Sequence, residues 1–309
     1  MSGVLAQPVA IVCALAGAGC YAVATVIQQR AAAQLAGPAA VDPGLLLRLA
    51  RTRSWLLSLI AVAAGYALQA TALGLGRLVV VEPVFPAGLL FALLLGARAE
   101  GRWLRHSEWT AAVAAVAGMA VFLVAAEPSG GQRTAGAGVL ALAAAGAFVI
   151  VMACCLVATR VTAGHRAVTL SVGGGIAAGV LDALTKTVVT LPGRIHFAVF
   201  ADMRLYLLAG VGLMTFTVQQ NAYRAAGLNA SLPAFAVLEP VVGSLLGLFV
   251  YHEHVGTGPA RIAIETVAVI AAIWGIVQLA KSVIAVSARL AAAAPLTATA
   301  GGSPVGPAA

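Results

Sequence analysis

Nine runs of about twenty mostly apolar residues follow one another along this chain, and each is long enough to cross a bilayer as a helix. They lie at 8–29, 55–75, 78–96, 109–126, 137–158, 168–190, 205–224, 229–251 and 262–281. A backbone inside lipid must satisfy its own hydrogen bonds, so runs of this kind leave the helix as the natural spanning form. Charged residues make up 9% of the 309 and hydrophobic ones 61%. A soluble domain carries about 25% charge because its surface faces water. The chain therefore reads as an all-α polytopic membrane protein. The segment 31–53 holds Pro38, Asp42, Pro43 and Arg48, which disfavours a tenth span there.

The net charge of +8 comes from 16 Arg and 2 Lys against 10 acidic residues. The basic residues sit in short loops, the pattern of a positive-inside bias, so nucleic acid is not an expected partner. Alternating the nine spans puts 12 basic residues on one side. Five lie on the other side (Arg77, Arg133, Arg194, Arg204 and Arg261), and Lys186 is inside a span. That asymmetry predicts a cytoplasmic C-terminus and an external N-terminus, in a bacterial inner membrane or comparable plasma membrane. No charged n-region precedes the first run, so the first helix is expected to act as its own insertion signal. Cys13, Cys20, Cys154 and Cys155 lie in apolar runs without metal-ligand spacing, and no metal or cofactor is expected. The Ala/Gly/Pro-rich tail, 286–309, is expected to be disordered.

Two stretches read alike. One runs from Trp55 through Gly65, Gln69 and Gly76 to Glu82-Pro83, Pro86 and Gly96; the other runs from Leu205 through Gln219-Gln220-Asn221 and Gly227 to Pro233, Glu239-Pro240 and Gly247. Gln69 aligns with Gln220 and Gly76 with Gly227, and Gln28 falls opposite Lys186. Spans 1–4 (residues 1–136) thus repeat as spans 6–9 (159–285), with span 5 (137–158) as a link. Five spans separate equivalent helices. An odd number inverts the second half, an arrangement found in secondary transporters, whose sites lie where the halves meet.

On the Gln69 and Gln219/Gln220 helices and the Glu82-Pro83 and Glu239-Pro240 helices, the chain resembles the drug/metabolite transporter superfamily, EamA-type, over residues 8–281. Its nine-span layout is similar to the NIPA-like branch. The resemblance implies a transporter built of inverted repeats, with a functional Lys at the position of Lys186 and an acidic residue after the Pro helix. Glu253 fits the latter, whereas the first half has Ala97-Arg98 there.

Ionisable residues inside spans are costly and mark pathways or ion pairs. Asp182 and Lys186 stand at i and i+4, on one helical face, as an internal pair or as a pair opened by substrate. Glu239 precedes Pro240, whose missing N–H frees carbonyls beside a carboxylate, a plausible proton or cation site. Glu82 before Pro83 is its counterpart, and Pro83, Pro86, Pro233 and Pro240 are candidate kinks. Gln219, Gln220 and Asn221 form a polar band matched by Gln69; such amides bind polar solutes or join helices. Glu265 is expected to snorkel from a span end. Gly175–Gly179 and Gly243–Gly247 are close-packing GxxxG runs. His252-Glu253-His254 lacks an HExxH pattern and reads as a solvated loop.

No nucleotide-binding motif or catalytic grouping is present, so neither an enzyme nor a primary pump is expected. The leading reading is a secondary transporter of a small metabolite or drug-like solute, with proton coupling open. The alternatives are a NIPA-like magnesium transporter and a lipid-carrier flippase component or non-transporting subunit. Expected partners are the bilayer and a small-molecule or ion substrate, with a homodimer allowed.

Overall fold

The computed structural model describes residues 3–35, 41–81, 105–126, 129–191, 201–225, 228–254 and 258–293, with scattered positions between 84 and 103. Over these residues the regular secondary structure is helical apart from one two-rung ribbon. The helices are α1 (Gly3–Gln34), α2 (Leu45–Leu49), α3 (Arg53–Leu75), α4 (Leu78–Val81), α5 (His106–Ala126), α6 (Ala137–Ala158), α7 (Ala163–Thr190), α8 (Met203–Ala225), α9 (Leu228–Phe249) and α10 (Pro259–Ala293). Strands β1 (Ser129–Gly130) and β2 (Glu253–His254) pair antiparallel.

Four helical stretches among the described residues are long and apolar enough to cross a membrane: Ala6–Gln34, Arg53–Leu75, Ala137–Ala158 and Ala163–Thr190. Their outer faces carry large exposed apolar side chains, such as Leu57 and Ile60 on α3 and Leu142 and Val149 on α6. Water penalises such a surface and lipid accepts it. Helix α2 is about 7.5 Å long at 1.5 Å per residue, so the 41–53 region holds no spanning helix. Its Leu45 and Leu49 are buried instead against Ala31, Ala32, Trp55 and Tyr223. Helix α10 continues to Ala293, so 286–293 is helical and only 294–309 of the expected disordered tail lies outside the described residues. Most of the 78–96 span, with Glu82, Pro83 and Pro86, also lies outside them. Helix α9 runs through Pro233 and Pro240 without interruption.

Helix α7 is the centre of the bundle. It is buried along most of its length because Gly173, Gly174, Gly175, Ala177, Ala178 and Gly179 let neighbours approach its backbone. A Cβ on Gly175 would stand 3.0 Å from the Phe235 carbonyl oxygen, and one on Gly179 would stand 2.7 Å from that of Glu239 and 2.8 Å from the Gly243 nitrogen. The Gly175–Gly179 run thus seats α9, as its spacing predicts. Helices α1 and α3 meet through Gly17 and Gly65 in the same manner. Further packed pairs are α7 with α8, α1 with α8, α3 with α7, α4 with α9, and α5 with α10. In the last, a Cβ on Gly118 would lie 2.6 Å from the Ala268 carbonyl oxygen. Helix α6 lies against α7 and α8.

Candidate solute-binding site

A cavity of about 210 Å³ lies among α1, α3, α7, α8 and α9. Tyr21, Thr25 and Gln28 face it from α1, at spacings of four and three that hold one side of a helix. Gln69 enters from α3, Leu181 and Asp182 from α7, Thr215, Phe216 and Gln219 from α8, and Phe235 and Glu239 from α9. Its polar groups therefore come from residues far apart in sequence, set into otherwise apolar helices.

Two amides organise these walls. Tyr21 Oη donates to Gln69 Oε1 at 2.9 Å, and Gln69 Nε2 donates to Asp182 Oδ1. Trp55 Nε1 donates to Gln220 Oε1 at 3.3 Å, and Gln220 Nε2 donates to Gln28 Oε1 at 2.6 Å. An indole N–H can only donate, so Trp55 fixes which way round Gln220 stands. Gln220 then fixes Gln28, whose amide nitrogen is left over.

The polar band of α8 divides among three tasks, because consecutive residues point about 100° apart around a helix of 3.6 residues per turn. Gln219 lines the cavity. Gln220 joins Trp55 and Gln28. Asn221 clasps the loop before α2: Asp42 N donates to Asn221 Oδ1 at 2.7 Å, and Asn221 Nδ2 donates to Asp42 O at 3.2 Å. The Asp42 carboxylate also meets Arg48 and, at 3.5 Å, Arg224.

Lys186 lies one turn beyond Asp182, and the ion pair seen at its ammonium runs to Glu253. The expectation of a solvated His252-Glu253-His254 loop holds for the exposed His252 and His254 and is corrected for Glu253. Glu253 is 3% exposed, because β2 folds back onto the bundle and delivers the carboxylate to a cation inside it. The same Glu253 Oε1 accepts from the Leu78 backbone N–H at 3.0 Å, and the Lys186 ammonium stands 5.0 Å from the Tyr251 ring centroid. Tyr251 Oη donates to the Ala183 carbonyl and accepts from Thr187, 2.6 Å away, whose hydroxyl in turn accepts from Ala135 N at 3.1 Å. Arg77 Nε reaches the Gly130 carbonyl at 3.2 Å, and Thr190 reaches that of Arg133 at 2.7 Å. Segments around residues 77, 130, 190 and 253 thus meet at one end.

The structure brings Asp182, Glu239, Gln69 and Gln219 to one cavity. It assigns Gln220 and Asn221 to its supports and Lys186 to the end cluster. Pro240 is buried behind Glu239. Tyr21, Thr215 and Tyr251 carry no signal in charge or amide bands, Trp55 marks only the start of the repeat, and Gln28 stands out only as the position opposite Lys186. The (i, i+4, i+7) row Tyr21-Thr25-Gln28 is the signal that could have found the α1 wall.

A protein of Corynebacterium glutamicum described as uncharacterized is 29% identical to this chain over 249 residues, covering 79% of this chain and 85% of the relative. No family model and no solved structure matches.

Proposed function

We propose that this protein is a secondary transporter of a small solute, a member of the drug/metabolite transporter type with nine spans in two inverted halves. The cavity carries this reading. It is a solute-sized chamber in a membrane-type bundle, with a few convergent polar groups on largely apolar walls drawn from both halves of the sequence.

The packing supports the repeat. Exchanging each span with the one five positions on turns α1·α3 into α7·α8, turns α1·α8 into α7·α3, and leaves α5·α10 and α4·α9 unchanged; all these pairs are in contact. The same exchange carries Gln69→Asp182 into Gln220→Gln28. On this geometry the α1 equivalent of Asp182 is Gln28, one turn from the register in which Gln28 faces Lys186. The meeting of the segments around 77, 130, 190 and 253 at one end supports the alternation of nine crossings, with the C-terminus cytoplasmic by the charge count. The Lys186–Glu253 cluster lies at that end. The Asp42–Arg48–Arg224 cluster and the Trp55–Gln220 contact belong with the opposite loops. Alternating access then consists of loosening one cluster while the other holds, around a fixed site.

The test is reconstitution into liposomes loaded with a metabolite extract, with mass spectrometry of what leaves. Protein-dependent release of a small solute, lost in Asp182→Asn and Glu239→Gln, is expected. If protein-containing and empty vesicles retain the same solutes, the transport reading fails.

A further inference from the structure

We infer that the cavity binds a small organic ammonium ion that also carries a neutral hydrogen-bond acceptor, the ammonium group set against Asp182 and Glu239 and the acceptor against the Gln28 amide nitrogen.

Three independent observations lead there. First, Asp182 and Glu239 both line the chamber, and no Lys or Arg is among the described residues that do so. Two carboxyl groups facing one chamber favour a cation over an anion there. Second, aromatic rings share the lining: Tyr21, Phe216 and Phe235. Their faces attract an alkylated ammonium, which lacks the strong hydration that would hold a bare metal ion in water. Third, Gln28 Nε2 and Thr215 Oγ1, on cavity-lining residues 3% and 5% exposed, are buried with no hydrogen-bond partner. Native proteins rarely leave such atoms unsatisfied. The Trp55→Gln220→Gln28 relay makes the Gln28 atom a donor, so its missing partner is an acceptor. A carboxylate as that acceptor would meet the two acidic residues across a small chamber, which leaves a hydroxyl, ether or carbonyl oxygen.

Size agrees. At roughly 30 Å³ of liquid volume per water, the chamber has room for about seven waters, which suits a solute of comparable non-hydrogen atom count.

This inference rests on the transport reading for its physiological meaning, while its test is binding alone. Purified protein in detergent would be titrated calorimetrically with choline, with tetramethylammonium (the cation without the acceptor), with 3,3-dimethyl-1-butanol (the acceptor without the cation) and with magnesium. Choline is expected to bind most tightly, tetramethylammonium about fivefold more weakly for want of one hydrogen bond, and the neutral alcohol not measurably. Gln28→Leu should bring choline down to tetramethylammonium and leave tetramethylammonium unchanged. The inference is overturned if the neutral alcohol matches choline, if Gln28→Leu weakens both cations equally, or if magnesium binds and neither ammonium ion does. The ligand series on the unaltered protein decides the class even where a variant is unstable. Binding without flux in liposomes would overturn the transport reading and leave this one standing; flux of other solutes with no ammonium binding would do the reverse.

Discussion

Lys186 and Glu253 are 67 residues apart in sequence and form an ion pair buried at one end of the helix bundle, with the Leu78 amide sharing the same carboxylate oxygen. Two charges out of water are tolerated only together. Removing one strands the other, at a typical cost of about 3–5 kcal/mol. Lys186→Met and Glu253→Gln should each lower the thermal unfolding midpoint in detergent. The double variant should recover a large part of the loss. Additive losses in the double variant would show that the two groups are not coupled.

The seat of α9 on α7 has no spare room at Gly179. A methyl there meets the Glu239 carbonyl oxygen at 2.7 Å and Val242 Cβ at 2.7 Å, both on a packed helix. Gly179→Ala should destabilise by about 1–3 kcal/mol through overpacking and shift Glu239 in the cavity wall. Gly146→Ala on α6, where a Cβ meets nothing within 4 Å, is the matched control. It should be neutral or slightly stabilising, since alanine is the better helix former. Equal melting temperatures for the two variants would refute this packing account.

Gln69 accepts from Tyr21 and donates to Asp182. Gln69→Leu keeps the approximate volume and removes both bonds, leaving buried groups short of partners at about 1–3 kcal/mol each. Solute release from liposomes should fall steeply. Gln220→Leu, which breaks the Trp55 and Gln28 contacts, should act comparably if the two amides are equivalent. A variant of either kind with full activity would remove the relays from the functional site.

Leu142 on α6 is 74% exposed and on this reading faces lipid. Leu142→Arg should impair membrane insertion, because an arginine at the centre of a spanning helix costs about 2.5–3.5 kcal/mol on insertion scales. The check is the membrane-integrated fraction after carbonate extraction. Undiminished integration would place α6 away from lipid.

Cysteines introduced at Arg51 and at His252, in a background with the four native cysteines replaced, should react with an impermeant thiol reagent from opposite faces of oriented vesicles. Labelling from the same face would contradict the alternation of spans.

Much of this was legible in the chain. Apolar run length marks the long helices of the described residues, four of them long and apolar enough to cross a membrane, and the Gly175–Gly179 spacing marks a close helix contact that the structure contains. Asp182, Glu239, Gln69 and Gln219 stand out because polar groups in apolar runs need a reason, and all four reach the cavity. What was not legible is which distant group meets which. The i,i+4 rule sees one helix: it sets Lys186 on the face of Asp182 and has no means to find Glu253 beyond two further helices. The three-way division of Gln219, Gln220 and Asn221 depends on which neighbour each 100° step meets. Unpartnered atoms such as Gln28 Nε2 exist only once the surroundings are known.

The ribbon β1–β2 joins the stretch after α5 to the stretch before α10, two helices that are already in backbone contact at Gly118. Its second strand also holds Glu253. Moving the Glu253 backbone away from Lys186 therefore requires either unzipping a two-rung ladder or displacing the α5–α10 strut. On the transport reading, entry at this end is tied to a mechanical linkage, and its rate should respond to changes in the strut that touch neither the charges nor the cavity.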